Sequence, residues 1–286
     1  MLKVTVVTPS YNQGNYIEKT ILSVLKQDYA NIEYIVMDAK SIDATGDVLN
    51  KYRSQIATVV QEKDEGQADA INKGFALSSG EIMAYLNSDD CYAHKSVISH
   101  AVRTFNEHPD VDVVFGKRQF IDDDGSFSRN NPYREFDSDT LLHDCFLPQE
   151  SVFWRRSIYE RAGNMVDKSH QFAMDYNLWL RFHRAGGKFM AVNEVYGLFR
   201  FYPDQKTHTI WKTIGLPEIA KLQTEFLGRA LSETEILAAD DKFMFGADPR
   251  HESRALAAGQ QLWQCFTEHK KQSLKGHPID QWWIGS

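Results

Sequence analysis

Lys3-Val4-Thr5-Val6-Val7-Thr8 runs directly into Pro9-Ser10-Tyr11-Asn12-Gln13-Gly14, after which Ile17, Ile21, Val24 and Leu25 recur at i, i+4, i+7 and i+8. After Lys3 the first segment is entirely β-branched and reads as a buried strand. The second is made of turn formers, and the third marks one face of a helix. The same succession repeats downstream. Strands are predicted over residues 32–37, 57–61, 81–86 and 111–115, with helices over 45–52, 66–77 and 95–106 between them. Strand–helix alternation of this kind calls for a largely parallel sheet with helices on both faces, so the fold class is α/β.

Past residue 122 the alternation breaks. Residues 122–136 are polar and turn-rich, as in a hairpin or loop. A strand over 151–154, a short helix over 156–162, a longer helix over 172–185 and strands over 188–192 and 196–201 complete the ordered core. After Pro217, residues 218–237 and 252–271 are helix-forming, with no strand candidates. This divides the chain into a main domain over 1–215 and a helical C-terminal extension over 216–286.

Composition narrows the function classes. The chain has 286 residues, and 32 basic against 39 acidic side chains give a net charge of 32 − 39 = −7. That balance argues against a surface for nonspecific nucleic-acid binding, which needs clustered Lys and Arg. Cys91, Cys145 and Cys265 form no C-x-x-C pair and are odd in number, pointing to reduced thiols in the cytoplasm. No signal peptide is recognisable, and no run of about 18 apolar residues predicts a transmembrane helix. Peripheral contact at the inner membrane face stays open. Trp282-Trp283-Ile284 is an apolar cluster that either anchors at an interface or packs on the core.

In an open α/β sheet, ligands bind beyond the carboxyl ends of the strands. The polar residues there are Thr8 to Asn12 after the first strand, Asp38 after the second and Asn87-Ser88-Asp89-Asp90 after the fourth. Carboxylates converging on one rim suit a hard divalent cation such as Mg²⁺ or Mn²⁺. Taken singly, Asn87 to Asp90 also read as a turn and helix cap.

Taken in order, six segments resemble the inverting nucleotide-sugar glycosyltransferases of family 2, which have the GT-A fold. They are Val6-Val7-Thr8-Pro9-Ser10-Tyr11-Asn12; Ile35-Val36-Met37-Asp38 with Ser41 to Thr45; Glu62 to Gly66 with Asp69-Ala70 and Asn72-Lys73-Gly74; Leu86-Asn87-Ser88-Asp89-Asp90; Gln149 to Arg156; and Asp175-Tyr176-Asn177-Leu178-Trp179-Leu180-Arg181. The resemblance covers roughly residues 3–207. It implies a mixed, mostly parallel sheet flanked by helices, a nucleotide-sugar donor, a carbohydrate or lipid-linked acceptor, and a divalent cation (Mn²⁺ or Mg²⁺). By resemblance Thr8, Pro9, Tyr11 and Asp38 hold the nucleoside, and Asp64 and Lys73 lie near base or diphosphate. Asp89 faces the ribose, Asp90 ligates the metal, and Asp175 is the catalytic base. UDP is the favoured nucleotide and surface polysaccharide or glycan synthesis the expected pathway.

Two departures stand out. Ala39 and Lys40 replace the small or acidic residues common after the second-strand Asp, and Tyr202 stands where the family pattern often has His. Tyr202, His208 or water must then supply whatever that His contacts. Trp154 and Trp179 read either as core or as an acceptor-facing aromatic, and Arg155 and Arg156 either as diphosphate ligands or as a strand end. A dinucleotide oxidoreductase would need G-x-G-x-x-G after a strand, which is absent. A nucleotidyltransferase would need a Gly-rich basic loop after the first strand, and residues 9–14 hold one Gly and no Arg or Lys. The remaining rival is a non-catalytic nucleotide-sugar-binding or assembly protein of the same fold.

Overall fold

The computed structural model describes residues 1–235 except 132 and 233. Its strands are β1 Val4–Ser10, β2 Ile32–Asp38, β3 Thr58–Gln61, β4 Ile82–Tyr85, β5 Cys91–Tyr92, β6 Val113–Ile121, β7 Phe127–Asn130, β8 Val152–Arg155 and β9 Phe189–Arg200. Its helices are α1 Ile17–Leu25, α2 Thr45–Tyr52, α3 Gln67–Ala76, α4 Val97–Glu107, α5 Ser138–His143, α6 Arg156–Arg161, α7 Met174–Arg184, α8 Lys206–Thr209 and α9 Leu216–Leu227. One mixed sheet runs β3-β2-β1-β4-β8-β6-β9-β5, with β7 paired to β6.

The first half of the sheet is parallel, as the alternation requires: β1 pairs with β2 and β4, and β2 with β3. All seven residues of β1 are buried, as befits a strand with neighbours on both edges and helices on both faces. Val4 and Val6 pack with Ile17, Ile21 and Val24 of α1 on one face. Val7 packs with Ile71 and Phe75 of α3 on the other, in a core that also holds Trp154 and Trp179. Both tryptophans are fully buried, so they are core. Each such aliphatic or aromatic side chain contributes about 1.5–3 kcal/mol on burial. At Gly74 a Cβ would sit 2.5 Å from Val7 Cγ1, so only glycine lets α3 lie this close to β1.

The second half departs from simple alternation. β8 runs antiparallel to both β4 and β6, and β9 returns parallel to β6. The two strands expected over 188–192 and 196–201 are one strand, β9. Its ladder with β6 absorbs register shifts between Phe115, Lys117 and Arg118 instead of breaking. The polar stretch after 122 is a hairpin: β7 pairs back on β6 through a turn in which Gly125 takes a φ of 92°.

The helix expected over 218–237 ends earlier, at Leu227, where Gly228 adopts a left-handed φ of 70° and closes the last turn. Ile219 and Leu222 of α9 share the core of Trp179 and Trp211. The expected helix over 252–271 and the Trp282-Trp283-Ile284 cluster lie outside the described residues.

Candidate active site

The register levels the strand ends: Ser10 pairs with Asp38, Asp38 with Gln61, and Val7 with Tyr85. Above this rim opens a cleft of ≈ 790 Å³, within the range of small-molecule sites. Pro9, Tyr11, Ala39, Lys63 and Asp64 line one part of it, and Asn87, Asp89, Arg118, Glu150, Asp175, Tyr202 and Lys206 line the rest.

Of the residues singled out in the sequence, Pro9, Tyr11, Asp64, Asp89 and Asp175 reach this cleft. Thr8, Asp38, Lys73 and Asp90 are not among its walls. Thr8 is fully buried, its hydroxyl 3.1 Å from Tyr34 Oη beneath the rim. Asp38 accepts from Ser41 N at 3.2 Å and Ser41 Oγ at 2.5 Å, so its carboxylate shapes the loop after β2. Lys73 Nζ is held by Asp69 at 3.2 Å and Glu62 at 3.3 Å.

The two aspartates after β4 differ in where they sit. Asp90, expected as the metal ligand, is buried, and its Oδ1 accepts the backbone N–H of Arg200 at 3.0 Å. Asp89 is the one on the cleft wall, and its Oδ2 accepts from Tyr202 Oη at 2.9 Å. Burial raises both carboxyl pKa values, well above the ordinary range at Asp90, where Asp89 and Glu150 add like-charge repulsion. At Asp89 the Tyr202 hydroxyl opposes that rise. Tyr202, which stands in the position of the missing histidine, is thus bonded to the motif. The His208 ring lies 4.1 Å from that of Phe201, and His208 is not among the cleft walls.

Asp175 occupies the first turn of α7, and its Oδ1 accepts from Tyr176 N at 2.7 Å. Burial raises its pKa, partly offset by that N–H and by Arg118. A carboxylate moved toward neutrality in a cleft is suited to accept a proton. The approach to α7 is pinned from α9: Glu218 accepts from Gln171 N at 2.8 Å and from Phe172 N and Ala173 N at 2.9 Å each.

Several cleft residues carried no legible role in the sequence. Glu150 is fully buried and forms a forked pair with Arg118, Nε to Oε1 at 2.7 Å and Nη2 to Oε2 at 2.5 Å. Lys206 Nζ donates to Gln67 Oε1 at 3.0 Å, and Gln67 Nε2 to Asn87 Oδ1 at 2.7 Å. Asn87 Nδ2 in turn donates to Gln149 Oε1 at 3.0 Å. This chain of side chains ties the segment after β9 to the motif after β4. Burial lowers the Lys206 pKa, against the pull of Asp175. Arg155 and Arg156 point elsewhere, donating to the Val111, Phe105 and Gly80 carbonyls and to Ser78 Oγ.

The sequence profile of Glycosyl transferase family 2 matches residues 5–183. The chain belongs to this family. It is 34% identical to glycosyltransferase GlyG of Streptococcus pneumoniae over 69% of this chain and 70% of that one. It is 30% identical to the Escherichia coli UDP-Glc:α-D-GlcNAc-diphosphoundecaprenol β-1,3-glucosyltransferase WfgD over 62% and 68%. Among solved structures, residues 1–349 of TarS from S. aureus in complex with UDP-GlcNAc superpose with a TM-score of 0.65 at 18% identity, over 99% of this chain and 84% of that one. The mannosyltransferase PcManGT of Pyrobaculum calidifontis, in complex with GDP-Man and Mn²⁺, gives 0.61 at 19%, over 98% and 83%. These establish the GT-A-like fold expected for a family 2 glycosyltransferase.

Proposed function

We propose that this glycosyltransferase takes a nucleoside diphosphate sugar, UDP-linked by preference, and passes the sugar to an acceptor hydroxyl with inversion of the anomeric centre. The observation that carries the reading is that Asp89 and Asp175, far apart in sequence, line one cleft at the strand ends. The donor's nucleoside lies against Pro9, Tyr11 and Asp64. Thr8 and Asp38 act from beneath, through the strand and the loop after β2, and Lys73 acts only through its pairing with Asp69.

Asp89 is the protein ligand for a divalent cation, in place of Asp90. Among the described residues no group of three His, Cys, Asp or Glu side chains forms a ready-made site. A hard divalent cation such as Mg²⁺ or Mn²⁺ takes oxygen ligands, and Asp89 is a cleft carboxylate that would supply one. When bound, it would stabilise the negative charge that develops on the leaving diphosphate. Lys206, bonded to Gln67, adds a positive charge for the same oxygens. Asp175 takes the proton from the acceptor hydroxyl, worth ~10²–10⁴-fold in rate. Attack opposite the leaving group then inverts the anomeric carbon in one step.

The Mn²⁺ complex of PcManGT, the UDP-GlcNAc complex of TarS and the named specificity of WfgD support donor, cation and pathway class. By analogy with WfgD, whose name gives a GlcNAc-diphosphoundecaprenol acceptor, the acceptor is a carbohydrate, free or lipid-linked, and surface polysaccharide or glycan synthesis is the pathway that the family resemblance implies. Among the described residues no helix is long and apolar enough to cross a membrane.

The test is product analysis. A panel of nucleotide sugars with Mn²⁺ and a lipid-linked or free sugar acceptor should yield a glycoside of inverted anomeric configuration by NMR. Asp175→Asn should bind donor as the parent does and form no product. A retained configuration, or undiminished transfer by Asp175→Asn, contradicts the mechanism.

A further inference from the structure

The charge of −7 is unevenly spread. Beside the cleft, and sharing with it the walls formed by Arg118, Cys145, Leu147, Phe199 and Thr207, lies a second cavity of ≈ 150 Å³. Its side chains include Lys117, Arg118, Arg129 and Arg134 but one carboxylate, Asp144. Asp144 is taken by Arg134 at 2.8 Å, and Arg118 is taken by Glu150. Arg129, half-buried on β7, has no carboxylate partner among the described residues. Its guanidinium instead lies 4.2 Å from the centre of the Phe120 ring. Phe120 and Phe199 meet edge to face at 5.8 Å and 78°.

A guanidinium withdrawn from water without a counter-ion is costly, and its planar fork matches a carboxylate or phosphate. A ring face beside it offers an apolar floor. Arg118 is part of the wall between this cavity and the cleft, and its partner Glu150 lines the same cleft as Asp175. We propose that this second cavity is the acceptor subsite, and that Arg129 there holds an oxyanion (a phosphate or a carboxylate) carried by the acceptor sugar. The inference rests on the transferase reading. It adds that the acceptor is anionic and that its hydroxyl reaches Asp175 past Arg118.

Calorimetry on the full chain saturated with UDP and Mn²⁺, which keeps anionic probes out of the donor site, tests this. Three probes share one chain and differ in charge: an octyl diphosphate-linked glucose, octyl glucuronide and octyl glucoside. The parent protein should bind one of the charged probes about tenfold or more tighter than the neutral one, and which one identifies the source of the oxyanion. Arg129→Gln should abolish that preference, and Arg129→Lys should keep part of it. Equal binding of all three probes by the parent, no binding of any, or a preference that survives in Arg129→Gln overturns the subsite. The UDP titration that precedes the probes reads the donor site separately. Failure there contradicts the nucleotide-sugar reading, whereas intact UDP binding without probe discrimination contradicts the acceptor subsite alone.

Discussion

Tyr202 donates its hydroxyl to Asp89 Oδ2 at 2.9 Å, bonding the segment after β9 to the cleft carboxylate after β4. Burial raises the Asp89 pKa and this hydrogen bond pulls it down. The ionised form, the one proposed to hold a cation, is thus maintained partly by a neutral phenol whose own pKa burial has pushed up. Tyr202→Phe removes the donor and lets the Asp89 pKa rise further. The acidic limb of the kcat/KM profile should therefore move to higher pH, with activity lost first at the low end. A pH profile unchanged from the parent would mean that Asp89 ionisation does not control the cation.

Because Asp89 lines the cleft and Asp90 does not, two substitutions that look alike in sequence should behave differently. Asp89→Asn should lose cation-dependent donor binding. Asp90→Asn keeps an oxygen for the Arg200 N–H and should leave that binding unchanged. Donor titrations with and without Mn²⁺ distinguish them, and the opposite pattern would restore Asp90 as the ligand.

Much of this site was legible in the sequence, and the exceptions have physical reasons. Asp89 follows from its place at a strand end, and Asp175 was marked by the family resemblance, since a helix-start carboxylate by itself signals no more than a favourable dipole. Which of two adjacent aspartates faces the cleft depends on where β9 delivers the Arg200 N–H, a contact across 110 residues. Arg118 and Glu150 meet because β6 continues past Phe115 through register shifts that no periodicity announces. The parallel half of the sheet was readable because β1, β2 and β4 are buried apolar runs punctuated by turn formers. The single strand β9 was read as two because Asn193 and Glu194 interrupt its apolar pattern at exposed positions.

Glu218 gathers three backbone N–H groups just before α7. Glu218→Ala strands them and should cost about 1–3 kcal/mol of stability, visible as a lower Tm. Because those groups set the entry of the helix carrying Asp175, kcat should fall more than donor affinity. Equal loss of both would indicate general unfolding of the cleft.

The Glu150–Arg118 pair is a buried ion pair whose carboxylate has no solvent exposure. Removing one member leaves the other charge uncompensated, so Glu150→Ala should destabilise by about 3–5 kcal/mol. Denaturant unfolding reads this directly, and a loss under 1 kcal/mol, the usual scale of exposed pairs, would show that Arg118 finds another partner.

This cleft is proposed to hold a nucleoside diphosphate sugar through a cation bound at Asp89. Calorimetric titration of the full chain with UDP-, GDP- and dTDP-sugars, each with and without Mn²⁺, tests it most directly. At least one donor should bind, more tightly with Mn²⁺, and Asp89→Asn should erase the difference. Absence of binding by every donor in the presence of Mn²⁺, or a cation effect that survives in Asp89→Asn, would contradict it.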